Sequence, residues 1–382
     1  MYIYSMPQLM NPFPVSAYHG PEFFCNRNEE VKKLQNNINN GVNTTLISIR
    51  RMGKTGLIQH LFHKLSRKKE LHTLYTDIYA TQTQKELLDQ IATSILQSFP
   101  PKKTAGRKVL DFLTGLRPVI SYDNLTGKPE VSFNFSQPRQ QEQSLAAVLA
   151  FLDTLNINLV IALDEFQQIS FYPEKNTEAL LRSIIQPLKN VRFIFSGSSK
   201  HILTQMFQNK TRPFFASTQM LELHNIDQKD YEKYITSHFA DYKRKISEEA
   251  VNFICTWTRL HTYYTQVVCN RIFGEGHSNI SNTVVQEICH TILEEQQGSF
   301  LQYRNLLTAA QWQMLTAIAK EDKLYQPNAS AFISKHSLGT PSNVQRSLQA
   351  LLVKEMIYQE DDESGTYYRV YDCFLARWLE RL

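Results

Sequence analysis

Short apolar runs alternate with longer amphipathic segments through the first 226 residues. Thr44–Ile49 reads as a buried strand. Lys54–Leu65 reads as a helix, with Leu57, Ile58, Leu61, Phe62 and Leu65 at helical spacing. Leu71–Tyr79 predicts a second strand, Gln84–Phe99 a second helix, and the basic stretch Pro100–Arg107 a surface loop. Val119–Tyr122 and Val131–Phe135 flank Asn124-Leu125-Thr126-Gly127, a hairpin signature inserted between two helices. After a helix over Gln140–Leu155, the runs Leu159–Leu163 and Val191–Phe195 are apolar throughout. Such runs fit strands covered on both faces, as in a parallel sheet. A fifth strand fits Met220–Leu223. The rhythm predicts a doubly wound α/β domain over residues 21–226, behind a leader of residues 1–20.

Past that point the strand signal disappears. Asp227, Ser247 and Ser281 are placed to cap successive helices of an all-helical block, residues 227–306. Residues 307–382 read as helices Ala309–Ile318, Ala331–His336 and Ser342–Lys354, an acidic hairpin Ile357–Tyr371, and a last helix Phe374–Leu382. Thr340 before Pro341 is a start signal for the third of these helices. Three helices and a hairpin make a winged helix.

The 382 residues carry 41 Lys and Arg against 36 Asp and Glu, a net charge of +5 that only weakly favours anionic ligands. Five scattered cysteines without a C-x-x-C pair argue against a disulfide framework and a zinc ribbon. No run approaches the ~18 apolar residues that span a bilayer, so the expected compartment is the cytoplasm, with no membrane partner. The winged helix holds eight basic and nine acidic side chains, with Glu360-Asp361-Asp362-Glu363 on its wing. Duplex affinity rests on phosphate neutralisation, so this module is expected to dock protein in preference to DNA.

The strongest motif is Ser48-Ile49-Arg50-Arg51-Met52-Gly53-Lys54-Thr55, between the first strand and the first long helix. A loop ending G-K-T at a helix N-terminus aims backbone N–H groups at phosphates. Lys54 would reach the β- and γ-phosphates from a surface loop without touching the core, and Thr55 would ligate Mg²⁺. Ser48 stands where the consensus has its first glycine. Asp164 and Glu165 end the apolar strand Leu159–Leu163, 109 residues beyond Thr55. There Asp164 can hold the metal, and Glu165 can polarise the attacking water. Ser196, and next Ser198, leave the adjacent strand where a small polar residue could meet the γ-phosphate; a plain turn explains either serine equally well.

Together with Phe23-Phe24-Cys25-Asn26-Arg27-Asn28-Glu29-Glu30, Leu163-Asp164-Glu165-Phe166-Gln167, Phe195-Ser196-Gly197-Ser198-Ser199, Arg212-Pro213-Phe214-Phe215 and the C-terminal Tyr371-Asp372-Cys373-Phe374, these motifs resemble the prokaryotic AAA+/STAND-type "archaeal ATPase" family over roughly residues 20–382. The resemblance implies an ASCE-type P-loop NTPase sheet, a helical lid and a C-terminal winged helix. It implies ATP or ADP with Mg²⁺ as ligands, Phe24 and Arg27 near the adenine, and Arg51, Met52, Gly53, Lys54, Thr55 and Gly56 around the phosphates. His261 would face the nucleotide from the lid, where Thr262 replaces the family's proline; a helix-end cap is the competing role. Arg212 would reach the γ-phosphate in cis or from a second copy, or else is a surface arginine. The expected activity is a slow ATPase acting as a switch, alone or as a homo-oligomer or with a protein partner. The alternative is a module that holds nucleotide while its winged helix binds DNA or protein.

Overall fold

The computed structural model describes residues 11–67, 71–100, 102–135 and 137–382. Residues 1–10 of the expected leader and Pro101 of the expected loop lie outside the described residues. The chain divides into two compact units: Ser16–His224, and Asn225–Leu382 joined by residues up to Val15.

In the first unit, helix α1 (Asn28–Asn39) precedes strand β1 (Thr44–Ile47), and α2 (Lys54–Leu65) follows it. Next come β2 (Leu71–Asp77), α3 (Gln84–Ser98), α4 (Thr104–Gly115), β3 (Val119–Tyr122), β4 (Pro129–Ser132) and α5 (Pro138–Thr154). The unit closes with β5 (Asn158–Asp164), α6 (Thr177–Ile185), β6 (Val191–Gly197), α7 (Lys200–Gln208) and β7 (Gln219–Glu222). Five strands form one parallel sheet in the order β2-β5-β6-β1-β7. Strand β6 thus separates β1 from β5, the arrangement expected of an ASCE-type sheet.

Period-two alternation sorts the apolar strand residues onto two faces. Val160, Ala162 and Ile194 pack with Leu57, Ile58 and Leu61 of α2 and with Val31 and Leu34 of α1. Leu159, Ile161, Leu163, Phe193 and Phe195 pack on the other face, against helices that include α3, α5 and α7. Continuous apolar runs therefore did mean strands covered on both sides.

The insertion differs from the sequence expectation. The predicted loop Pro100–Arg107 is half helix, because α4 opens at Thr104 and buries Gly106, Val109 and Leu113. Its apolar positions lie mostly beyond Arg107, so the basic start read as loop. The hairpin forms between β3 and β4, with Val119 opposite Ser132. Its second strand starts two residues earlier than predicted, at Pro129.

The second unit holds α8 (Gln228–Asp241), β8 (Lys245–Ile246), α9 (Glu248–Trp257), α10 (Thr262–Gly274), β9 (Asn279–Ile280) and α11 (Asn282–Asn305). Asp227, Ser247 and Ser281 each accept a backbone N–H of the helix they open, as their positions predicted. The block is not wholly helical: β8 and β9 pair in parallel, too short to leave a sequence signal. Residues expected in the leader join this unit. Phe13 is fully buried with its ring 4.9 Å from that of Phe239, and Asn11 and Asn270 exchange side-chain bonds to each other's segments.

A winged helix completes the unit: α12 (Ala309–Glu321), α13 (Ser330–Lys335), α14 (Pro341–Val353), β10 (Ile357–Asp362), β11 (Gly365–Val370) and α15 (Cys373–Leu379). Thr340 caps α14 through the Asn343 N–H, and Ile357 pairs with Val370 across the wing. All five cysteines are buried, and none is in a disulfide.

Candidate functional site

Strand β1 stops at Ile47, and six residues carry the chain over the sheet edge to Lys54. Two of these residues have positive φ: Arg51 at 63° and Gly53 at 91°. Gly53 sits at the N-cap of α2, where its left-handed conformation would strain most other residues. The loop therefore ends with the N–H groups of the first turn of α2 facing off the end of the sheet.

Lys54 corrects the sequence expectation. It is only 6% exposed, not a surface lysine. Its Nζ donates to Ser48 Oγ at 3.0 Å and to the Ser48 and Ile49 carbonyls at 3.4 Å. Ser48, in the consensus glycine position, is buried too and donates its own Oγ–H to the Ile49 carbonyl. Among the described residues no carboxylate pairs with Lys54. Burial pulls its pKa down to about 8, against the partial pull of the Glu165 and Asp164 charges.

Thr55 and Asp164 meet across 109 residues: Thr55 Oγ1 donates to Asp164 Oδ2 at 2.8 Å. The same oxygen accepts the Tyr75 hydroxyl at 2.7 Å. Asp164 Oδ1 accepts Ser196 Oγ at 2.6 Å and the Glu165 N–H at 3.0 Å. Four donors thus fix this buried carboxylate. Ser196, the first choice for a γ-phosphate contact, is fully buried and turned to Asp164 instead. Tyr75 escaped the sequence reading because it looks like one more β-former in β2; only the parallel register of β2 on β5 brings it level with Ala162. Burial and Asp164 together push its phenol far above the usual range. Asp77, opposite Asp164 at the end of β2, was missed for the same reason; burial raises its pKa, with Asp164 and Glu165 adding to the effect.

Glu165 has φ 57° and turns the chain out of β5 into a short 3-10 helix, Phe166–Phe171. Its Oε2 accepts Ser198 Oγ at 2.8 Å, the Ser198 N–H at 3.3 Å and the Gln167 side-chain amide. Ser198, the second-choice serine, therefore stands beside the candidate base.

Arg27 and Phe24 frame the loop from the other side. Arg27 is buried, pairs with Glu30 at 2.9 Å and donates to the Met52 carbonyl at 3.4 Å. The Phe24 ring stacks on His60 at 4.3 Å, and a Cβ on Gly56 would lie 3.5 Å from it. Tyr18 adds a hydroxyl contact to His60 Nδ1 at 2.9 Å. Arg212 is engaged in an ion pair with Glu178 of α6. His261 belongs to the other unit, where it occupies the N-cap of α10.

A family model described as a probable winged helix domain matches residues 298–381. Among solved structures, a Walker-type ATPase of Pyrococcus abyssi is similar at TM-score 0.65 and 18% identity, over 97% of this chain and 100% of that one. The ORC2 protein of Aeropyrum pernix, in ADPNP–ADP complexes, is similar at TM-score 0.56 and 14% identity, over 93% of this chain and 92% of that one. No curated protein sequence matches the chain. At these identities the likeness establishes a fold: a P-loop ATPase sheet with a C-terminal winged helix.

Proposed function

We propose that this chain binds ATP with Mg²⁺ and hydrolyses it slowly, as a nucleotide-driven switch of the archaeal-ATPase kind. The observation that carries the reading is Lys54, a buried cation bonded, among the described residues, only to neutral oxygens. Burying a charge without a partner is costly, and a phosphate at the N-terminus of α2 would supply the missing counter-charge. Arg51, Met52, Gly53 and Gly56 would line that phosphate with backbone. Phe24 and Arg27 would border the base.

Thr55 and Asp164 offer hard oxygen donors side by side, which suits Mg²⁺. When bound, the metal would neutralise phosphate charge. Tyr75, Ser196 and the Glu165 N–H hold Asp164 in one orientation for that task. Glu165 would orient the attacking water and accept its proton. Its carboxylate is engaged by Ser198 and Gln167, so an attacking water would have to compete with these donors for it. That restraint supports slow turnover. Arg212 would have to leave Glu178 before reaching any phosphate, in this copy or a second one. No helix is long and apolar enough to cross a membrane among the described residues.

The test is Glu165→Gln, which keeps shape and loses charge. ATP binding by calorimetry should persist, while phosphate release falls on the order of 10²-fold. Equal release by both proteins removes Glu165 from the chemistry. ATP bound tightly by the wild type without any release would favour a nucleotide-holding module instead.

A further inference from the structure

The inserted segment from Lys102 to Ser132 carries six cations against three carboxylates, a surplus of three in a chain whose whole surplus is five. Lys102 and Lys103 precede α4, Arg107 and Lys108 lie on the helix face opposite buried Val109 and Leu113, Arg117 leads into β3, and Lys128 closes the hairpin turn. All six are exposed. Among the described residues, none of their side chains has an ion-pair or hydrogen-bond partner. Lys85, Lys200, Arg212, Lys323 and Lys335 sit on carboxylates, whereas exposed lysines such as Lys210, Lys243 and Lys320 form no ion pair among the described residues. What sets the segment apart is that six such cations gather around one helix and hairpin. One of the segment's three carboxylates is already committed, since Asp123 accepts the Leu125 and Thr126 N–H groups inside the turn.

The mount is firm. Thr93 Oγ1 of α3 accepts the Val131 N–H at 2.8 Å, Asp89 accepts that of Phe133 at 2.9 Å, and Gln97 donates to the Pro129 carbonyl at 3.0 Å. On the other side, α4 docks through Phe112, whose ring stacks on Phe151 of α5 at 4.0 Å. The turn itself stands free, with Leu125 95% and Tyr122 67% exposed. Unpaired cations on a rigid base, flanking a projecting two-stranded ribbon, match what a duplex offers: a phosphate backbone beside a groove that admits such a ribbon.

We propose that α4 and the β3–β4 hairpin form a duplex-DNA-binding surface on the ATPase unit. The exposed apolar groups, Val119, Tyr122 and Leu125, are too few for the roughly 800 Å² per partner of a stable protein interface, and too few to hold a bilayer. A backbone-reading surface needs only spaced cations. This reading stands independently of nucleotide turnover.

The test uses the full chain and a fluorescent 30-base-pair duplex, titrated by anisotropy from low to physiological salt. Arg107→Glu/Lys108→Glu/Lys128→Glu should weaken duplex binding at least about tenfold and lower the salt slope by about two to three. Because these side chains are exposed, the thermal melt should not move. Arg346→Glu, on the exposed face of α14, should leave binding unchanged. Undiminished duplex binding in the triple variant overturns the proposal, as does an equal loss in Arg346→Glu. Binding only to vesicles of phosphatidylserine overturns it too, and tighter binding to the matching single strand overturns the choice of duplex.

Discussion

Lys54 in the phosphate loop and Arg259 in the helical region are both buried cations, yet their surroundings oppose each other. Arg259 meets Asp322 at 2.6 Å and Glu380 at 3.5 Å. Asp322 also takes Arg369, and Glu380 takes Arg377 at 3.0 Å. Burial favours a neutral Asp322, but the Arg259 and Arg369 guanidiniums outweigh it and hold the carboxyl below the usual range. The network ties the α9–α10 turn, where Arg259 and Leu260 both have φ near 57°, to the winged helix. Among the described residues, Lys54 has three neutral oxygens and no carboxylate partner. A charge neutralised within the chain is a structural knot, whereas one left unneutralised marks a place for an anionic ligand.

That contrast can be broken in several ways. The largest effect is expected for Lys54→Met, which should cut ATP affinity by about 10²-fold, the loss of a charge-assisted bond. Without nucleotide the same variant should melt higher, because an unneutralised buried charge is gone; an unchanged affinity would end the comparison. Next, Asp322→Asn should lower stability by about 2 kcal/mol, since two buried guanidiniums lose a charged partner and the carboxyl is part-exposed. Its ATP affinity should stay within about twofold. A loss as large as that of Lys54→Met would mean the knot belongs to the nucleotide site.

Acid sharpens the same point. The folded-state pKa of Asp322 lies below its unfolded value, so its contribution is full above the ordinary carboxylate pKa and is lost as pH falls toward the folded one. Melting curves of wild type and Asp322→Asn should therefore converge as pH drops below the ordinary carboxylate range, the wild type losing more. Curves that stay parallel would remove the charge from the explanation. The smallest effect belongs to Tyr75→Phe. One hydrogen bond to Asp164, worth about 1 kcal/mol, predicts Mg²⁺-dependent ATP binding weaker by about fivefold, with Mg²⁺-free binding unchanged.

Much of this was legible in the chain. The parallel strands announced themselves as apolar runs, and the G-K-T loop and the Asp164-Glu165 pair stood at strand ends where chemistry collects. What was hidden was set by neighbours far away in sequence. Tyr75 and Asp77 gain meaning only through the β2–β5 register. Ser196, the last serine within β6, turns inward to Asp164, whereas Ser198 lies past the strand's end and reaches Glu165. Lys54 reads as exposed in a Gly-bearing loop, but Ser48 folds underneath and encloses it. The start of α4 was missed because its first turn carries no apolar stripe.

Strand β1, which leads into the phosphate loop, is flanked by β6 and β7, so both of its partners arrive late. Thr45 and Thr218, whose hydroxyls touch at 2.7 Å, are 173 residues apart. At 5–20 residues per second of synthesis, β1 waits roughly 9–35 s for its outer neighbour. Until then Thr44, Thr45, Leu46 and Ile47, all buried in the finished sheet, keep at least one open edge, and both edges are open before β6 is made. The ribosome thus sets a minimum age for the nucleotide site, and the newborn chain is at its most adhesive in the interval before β7 emerges.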